Sequence, residues 1–75
     1  MNTILLPVNV KFLFNETGKD LFAYFPSSRE CFSHGDGLSI CTIDYVVESR
    51  KASKKERAAL RSELISLGYD LNELN

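Results

Sequence analysis

Apolar and polar residues alternate along the first third of the chain, in the pattern that β-strands produce. From Val8 to Phe14 the valines and phenylalanines at even positions share one face, and Leu13 lies with two polar residues on the other. A period of two residues over this length predicts a strand. A polar break at Gly18, which readily adopts the positive φ of a hairpin loop, precedes the strand-forming run of residues 21–25. This run predicts a second, antiparallel strand.

The next two segments differ in composition. Residues 26–37 concentrate proline, serine and glycine, so they predict a long irregular loop. Residues 38–48 are rich in β-branched side chains, and their alternation predicts a third strand on which Cys41 and Asp44 point to opposite faces. The three strands together are expected to form an antiparallel meander.

A helix follows the third predicted strand. Ser53 and Glu56 have the spacing of a capping box, which starts the helix at Lys54, and Gly68 supplies the left-handed residue that ends it. The leucines of this segment fall on one stripe that can cover a sheet face; they are Leu60, Leu64, Leu67 and Leu71. We therefore predict a single small α+β domain over residues 1–75, a three-stranded antiparallel β-meander followed by one C-terminal α-helix packed on one sheet face.

The apolar residues of the predicted sheet outnumber those that one helix can cover. The positions left over are Leu13, Phe22 or Phe25, Ile40 and Val46. The predicted helix also carries Ala58 and Ile65 on the side opposite its leucine stripe. A chain of 75 residues buries a modest part of its surface alone, so these positions predict a homodimer. Residues 69–74 are expected to fold back or pair.

Overall composition excludes some functions and locations. With 44% apolar and 25% charged residues, the chain is an ordinary globular protein, and its net charge of −1 is no whole-chain signal for nucleic acid or membrane binding. Residues 1–6 have no basic segment, and Pro7 interrupts the apolar run, so we expect neither a signal peptide nor a membrane anchor. We expect a cytoplasmic protein in which Cys31 and Cys41 are reduced thiols.

Local charge placement is the most unusual feature of the chain. Six of its nine basic residues form a short stretch, here called the basic rim: Arg50, Lys51, Lys54, Lys55, Arg57 and Arg61. Cations at a helix N-terminus oppose the helix dipole, so stability does not explain their position. Lys54, Arg57 and Arg61 align at i, i+3 and i+7 beside the free amides of the first turn, which predicts a site for phosphate or carboxylate. The alternative is a solvated face whose cations are balanced by Asp44 or Glu48.

The predicted loop contains a second set of candidate residues. Cys31 and His34, with Cys41 and Asp44, can be written as a metal-ligand set, but Cys41 and Asp44 on opposite faces of a strand do not close on one ion. Cys41 fits better as a small buried apolar residue. His34 is the candidate base for a nucleophile among its neighbours Cys31, Ser27, Ser28 and Ser33, but the sequence shows no orienting acid or nucleophile elbow for it. An enzyme or metal-binding site in this loop would be centred on Cys31, His34 and Asp36. We assign no catalytic residue, cofactor or metal, with Cys31 and His34 as the weaker metal alternative.

Short segments of the chain carry a resemblance to a known family: Leu-Phe-Ala-Tyr-Phe-Pro at 21–26, Cys-Phe-Ser-His at 31–34, Asp-Tyr at 44–45, Glu-Leu at 63–64 and Gly-Tyr-Asp-Leu at 68–71. Over residues 10–72 the chain resembles a family of small uncharacterised bacterial proteins. Its members read Ala-Tyr-Phe-Pro, then Cys-Tyr-x-His-x-Gly-Gln-His, then Glu-Leu-x-x-x-Gly-Tyr-x-Leu. Here Asp36, Gly37 and Leu38 replace the Gly-Gln-His of that pattern, so its second histidine is missing. The resemblance supports the domain boundaries and implies no activity.

These observations favour a non-enzymatic binding module. Its working surface is the basic rim, and its partner is an anion, either nucleic acid phosphate or an acidic protein patch. Small proteins of mobile elements commonly act through such contacts. An enzyme or metal-binding protein centred on residues 31–36 is the first alternative, and a structural subunit of a larger assembly is the second.

Overall fold

Residues 7–74 fold as an α+β unit with two helices and one mostly antiparallel sheet of six strands. In chain order the elements are β1 (Val8–Asn15), β2 (Asp20–Phe25), β3 (Glu30–Ser33), β4 (Gly37–Ile40), α1 (Ile43–Glu48), β5 (Arg50–Lys51), α2 (Lys54–Ser66) and β6 (Leu71–Glu73). The computed structural model describes residues 7–74, so the expectation for residues 1–6 lies outside the described residues. No helix within residues 7–74 is long and apolar enough to cross a membrane.

The sheet has the strand order β4-β3-β2-β1-β5, with antiparallel neighbours, and β6 adds to β1 in parallel. The carbonyls of Val10 and Phe12 accept hydrogen bonds from the amides of Leu74 and Ala52, each at 2.9 Å. Because alternate carbonyls of a strand point to the same edge, β5 and β6 lie one after the other along the same edge of β1. The prediction that residues 69–74 fold back or pair is confirmed.

The chain reverses between β1 and β2 where the sequence indicates, but Asn15, and not a left-handed Gly18, holds the turn. The side-chain oxygen of Asn15 accepts from the Gly18 amide at 2.9 Å and holds the turn. The positive φ, +50°, belongs to Lys19, so the prediction of a left-handed Gly18 is wrong. The Asn15 side chain is buried, and its amide also donates to the Ser49 hydroxyl at 3.2 Å. One asparagine therefore joins the turn to the end of α1.

The prediction of an irregular loop over residues 26–37 is wrong. This segment contains β3, which pairs with β2 on one side and β4 on the other. Turns surround the strand, with Arg29 at φ +60° before it and Gly35 at φ +90° after it. A four-residue strand between turn formers has too short an apolar pattern to be recognised, and its ladder partners decide its conformation.

The predicted third strand, residues 38–48, is also wrong beyond Ile40, because residues 43–48 form α1. Thr42 is the N-cap, and its hydroxyl accepts from the Tyr45 amide at 3.4 Å. Helical geometry brings Tyr45 and Val46 onto the sheet together, whereas a strand would send them to opposite faces. Tertiary packing thus overrides the β-propensity of this segment.

Helix α2 begins as predicted and buries less of its leucine stripe than expected. The capping box of Ser53 and Glu56 is present, and Gly68 has φ +102° just after the helix, so both predicted ends are confirmed. Leu60 and Leu64 are buried in the first core, but Leu67 is 60% exposed. The first core contains Val10, Phe12, Ala23, Phe25, Phe32, Ala52, Leu60 and Leu64.

The opposite sheet face has its own cover. The second core contains Leu13, Phe22, Tyr24 and Cys41, with Tyr45 and Val46 of α1 packed against it. The prediction that this chain leaves the second sheet face uncovered is therefore wrong. It treated residues 43–48 as a strand, whereas they form the helix that packs on this face. Ile40, at 77% exposed, remains uncovered.

Candidate anion-binding surface and thiol pocket

The basic rim begins at β5, the strand at one end of the sheet order. Its first two residues separate to different faces: Arg50 pairs with Phe14 and Lys51 pairs with Leu13. Because neighbouring strand residues alternate, Lys51 lies on the face of the second core and Arg50 on the face that α2 covers. The six basic residues thus do not form one continuous surface.

Arg50 is held by groups of its own chain. Its guanidinium lies 4.7 Å from the Phe14 ring centroid and donates to both carboxylate oxygens of Glu56, at 2.9 and 2.8 Å. Glu16 lies 3.5 Å away as a further partner. The hydrogen bonds from Arg50, followed by that from the Ser53 amide, lower the pKa of Glu56 to about 2. The Arg50 charge is therefore compensated within the chain.

The three residues that the sequence aligned on the helix do meet in one place. Lys54, Arg57 and Arg61 line a cavity of about 350 Å³ together with Ala58, Ser62 and Glu73, here called the helix groove. Glu73, from β6, lies 3.6 Å from Nε of Arg57 and 2.7 Å from Nε of Arg61. The groove thus holds three cations around one carboxylate.

The remaining lysines of the rim stay solvated. Within residues 7–74, Lys51, Lys54 and Lys55 are exposed and form no ion pair. The alternative in which Asp44 or Glu48 balances the rim is wrong in its partners, because neither pairs with a basic residue in this part of the chain. The carboxylates that pair with residues of the basic rim are Glu16, Glu56 and Glu73.

His34 lies at the β3–β4 turn and pairs with α2. Its Nδ1 lies 2.8 Å from the Glu63 carboxylate, and its side chain is 87% exposed. Both residues line a cavity of about 560 Å³ with Asp20, Leu21, Ser33, Ala59 and Leu60. His34, the base that the enzyme alternative requires, thus lies at the protein surface.

Cys31 and Asp36 line a different cavity, here called the thiol pocket, of about 410 Å³. Its other residues are Asp20, Ser33, Ser39, Ile40, Cys41, Thr42 and Tyr45. The Tyr45 hydroxyl donates to Asp20 at 2.9 Å, and burial followed by this hydrogen bond raises the pKa of Tyr45 to about 12. Burial, then the neighbouring Cys31 thiol, raises the pKa of Cys41 to about 11. The pocket favours the neutral forms of the Cys41 thiol and the Tyr45 phenol.

The structure therefore separates the residues of the enzyme alternative. Cys31 and Asp36 line the thiol pocket, but His34 lines the other cavity. No group of three histidine, cysteine, aspartate or glutamate side chains within residues 7–74 is arranged to hold a metal. The strand argument used against a Cys41–Asp44 metal pair no longer applies, because Asp44 lies in α1. Cys41 is buried in the second core, as predicted for an apolar role.

Several side-chain pairs in these sites could not be predicted from the sequence. Glu73 contacts Arg61 across 12 positions, Tyr45 contacts Asp20 across 25, and His34 contacts Glu63 across 29. Such pairs have no periodic signature, since the fold alone brings them together. One local signal was present: Thr42 followed by Asp44 fits a helix start.

Comparison of the chain with protein-family models, curated proteins and solved structures found no significant match. The site geometry therefore carries the functional argument.

Proposed function

We propose that the protein is a non-enzymatic binding module whose helix groove binds the phosphate groups of a nucleic acid. The observation that carries this proposal is that Lys54, Arg57 and Arg61 line one groove, in which the carboxylate of Glu73 pairs with the two arginines and leaves Lys54 without an ion pair among residues 7–74. Three cations and one anion leave an excess of positive charge at the surface. A phosphate group would compete with Glu73 for the two guanidinium groups and gain the unpaired Lys54 ammonium.

Preorganisation supports this proposal. Arg57 has a side chain only 18% exposed, so its guanidinium has already lost much of its freedom before a ligand arrives. Arg61 is half exposed and can turn toward solvent. The ordering cost of binding is smaller for such side chains than for free ones.

The spacing of the cations favours a phosphate chain over an acidic protein patch. Residues 54–61 of a helix extend about 10 Å along its axis, at 1.5 Å per residue. A strand of nucleic acid has a phosphate about every 3.4 Å along the duplex axis, so this row matches a few consecutive phosphates. Guanidinium groups also match phosphate oxygens in a fork geometry.

Fluorescence anisotropy with a labelled DNA duplex at low salt tests the proposal. Lys54→Gln is expected to weaken binding, and Glu73→Gln is expected to strengthen it, because it removes the carboxylate that competes for Arg57 and Arg61. Lys11→Gln is the matched control, since Lys11 is exposed on β1 beside Tyr24, on the other sheet face. It removes the same charge and should have a smaller effect.

Salt dependence separates this mode from non-ionic binding. Affinity should fall as salt rises, and Lys54→Gln should reduce the log–log slope by about one. Binding of poly-glutamate, measured under the same conditions, tests the acidic protein alternative. Tighter binding of poly-glutamate than of the DNA duplex would point to an acidic protein partner instead. Absence of duplex binding at low salt, or equal effects of Lys54→Gln and Lys11→Gln, would refute the proposal.

We also propose that the protein is a homodimer through the outer edge of β4. This strand ends the sheet order, so its outer backbone groups have no strand partner among residues 7–74. Exposed apolar side chains lie on this strand and on the helix that follows it: Leu38 on β4, Ile40 at its end, and Ile43 and Val47 on α1. A second copy fits this edge, because two identical antiparallel edges pair across a two-fold axis.

Measurement of solution mass by light scattering after gel filtration tests the dimer. Wild type is expected at twice the chain mass and Ile40→Glu at the chain mass. Ile65→Glu is the control, because Ile65 is a partly exposed apolar residue on α2. A monomeric wild type, or a dimer lost only in Ile65→Glu, would exclude the β4 edge.

A further inference from the structure

Cys31 and Cys41 are placed together by the register of β3 and β4. Cys31 lies opposite Ser39, and the Cys41 amide donates to the Arg29 carbonyl at 3.0 Å, which continues the ladder. The two cysteines are thus diagonal neighbours on the same sheet face. Both cysteines line the thiol pocket, and Cys31 packs against the second core, which contains Cys41.

The two thiols differ in access. Cys41 is a free cysteine buried in the second core, whereas Cys31 is a free cysteine only partly buried, with its sulfur 3.4 Å from the Ser39 hydroxyl. A reagent in the thiol pocket therefore meets Cys31 first. Cys41 lies one residue past the end of β4 and just before Thr42, the N-cap of α1, and the hydrogen bond from its amide to the Arg29 carbonyl is the last one of this ladder.

We propose that Cys31 and Cys41 form a reversible dithiol–disulfide couple, with Cys31 as the site of reaction with small-molecule disulfides such as oxidised glutathione. Closure requires an S–S bond of about 2.05 Å and Cα atoms within about 7 Å of each other. Because diagonal neighbours on a sheet lie about 7–8 Å apart, closure needs a backbone shift at Cys41, which lies just past the end of β4.

The reaction balances with one oxidant molecule. The Cys31 thiolate attacks one sulfur of oxidised glutathione, which forms a mixed disulfide and releases one glutathione thiolate. Cys41 then loses its proton to solvent and attacks the Cys31 sulfur, which releases the second glutathione thiolate. Two protein thiols are oxidised by two electrons, and the oxidant becomes two molecules of glutathione.

The closing step should depend on pH. Titratable and charged groups line the cavities at Cys41 from each neighbouring segment: Asp20 and Tyr24 of β2, Cys31 of β3, Tyr45 of α1, and Arg29 and Asp36 of the turns. Burial, followed by the Cys31 thiol and then Asp20, holds the Cys41 thiol protonated. Since only the thiolate attacks, the rate of closure should rise about tenfold per pH unit below pH 9. The initial attack at Cys31 need not follow the same profile.

Intact mass spectrometry after incubation with oxidised glutathione, acid quench and alkylation tests the couple. Wild type should end as a species lighter by two hydrogens, with no alkylated cysteine. Cys41→Ser should end with one glutathione adduct, and Cys31→Ser should stay reduced in the folded protein because Cys41 is buried. Cys41→Ala is a second variant in case the serine disturbs the core. A wild type that ends as a glutathione adduct or as two alkylated thiols overturns the proposal.

Discussion

The guanidinium of Arg50 donates two hydrogen bonds to the carboxylate of Glu56, at N···O distances of 2.9 and 2.8 Å. The same carboxylate accepts from the Ser53 amide at 2.8 Å and so completes the capping box of α2. The pair joins β5 to the start of the helix. One cation of the basic rim is thus part of the folding interactions, and the anion-binding proposal therefore concerns the helix groove.

Replacement of Glu56 by glutamine is expected to flatten the acid side of the stability profile. The pKa of Glu56 is about 2 in the folded protein, below its ordinary value of 4.5, so its stabilisation is present above pH 4.5 and is lost as pH falls toward 2. Urea denaturation at pH 2–6 should show the difference between wild type and Glu56→Gln shrinking across this window. Glu48→Gln is the control, because Glu48 is an exposed carboxylate at the end of α1. A difference between wild type and Glu56→Gln that does not depend on pH contradicts the assignment.

The buried Asn15 side chain is expected to be important for stability. Asn15→Ala removes the bonds to Gly18 and Ser49, so it should cost about 1–3 kcal/mol of unfolding free energy. Asn72→Ala is the matched control, because its amide donates to Asn9 at 2.9 Å on the exposed surface. Thermal denaturation should show a clear loss of stability only for Asn15→Ala. Equal losses of stability in the two variants would mean that the Asn15 side chain is not what stabilises the turn.

Leu64 of α2 and Leu67, the C-cap of that helix, should differ sharply in their contribution to the free energy of unfolding. Leu64 is fully buried in the first core, so Leu64→Ala should lower the unfolding free energy by about 2–5 kcal/mol. Leu67 is 60% exposed, so Leu67→Ala should change it by less than about 0.5 kcal/mol. Denaturant titration of both variants tests this order. Similar losses would mean that α2 packs through the wider stripe that its sequence predicts.

Stability should fall at alkaline pH through the thiol pocket. The pKa of Cys41 rises from 9.0 to about 11 and that of Tyr45 from 10.0 to about 12, mainly by burial, so the neutral forms stabilise the fold. Their contribution is complete below pH 9 and disappears as pH approaches 12. Tyr45→Phe should be less stable at neutral pH, because it loses the bond to Asp20, and should decline less above pH 10. A parallel decline in both proteins would contradict this origin.

Local patterns predicted the long elements well. The alternation from Val8 to Phe14 identified β1, and the capping box at Ser53 located the first residue of α2. The same reasoning failed for residues 30–33 and 43–48, where the segments are short. A six-residue helix gains little from local hydrogen bonds because its nucleation is costly, so packing on the second core decides its conformation.

The sequence also predicted only part of each candidate site. The basic residues and the two cysteines could be recognised individually, and the helical spacing of Lys54, Arg57 and Arg61 correctly indicated that they meet. Their partner Glu73 could not be identified, because it reaches the groove only when β6 pairs with β1. The homodimer and the anionic partner stay predictions that the experiments above address.

The sequence by itself determined where β1, β2 and α2 lie and which side chains carry charge, because periodicity and helix capping act between residues a few positions apart. The tertiary structure alone decided that α1 is a helix, that Cys31 and Cys41 line one pocket, and that Glu73 enters the helix groove. These outcomes depend on strand order and register, which bring distant residues within a few ångströms and so determine the free energy of each short segment.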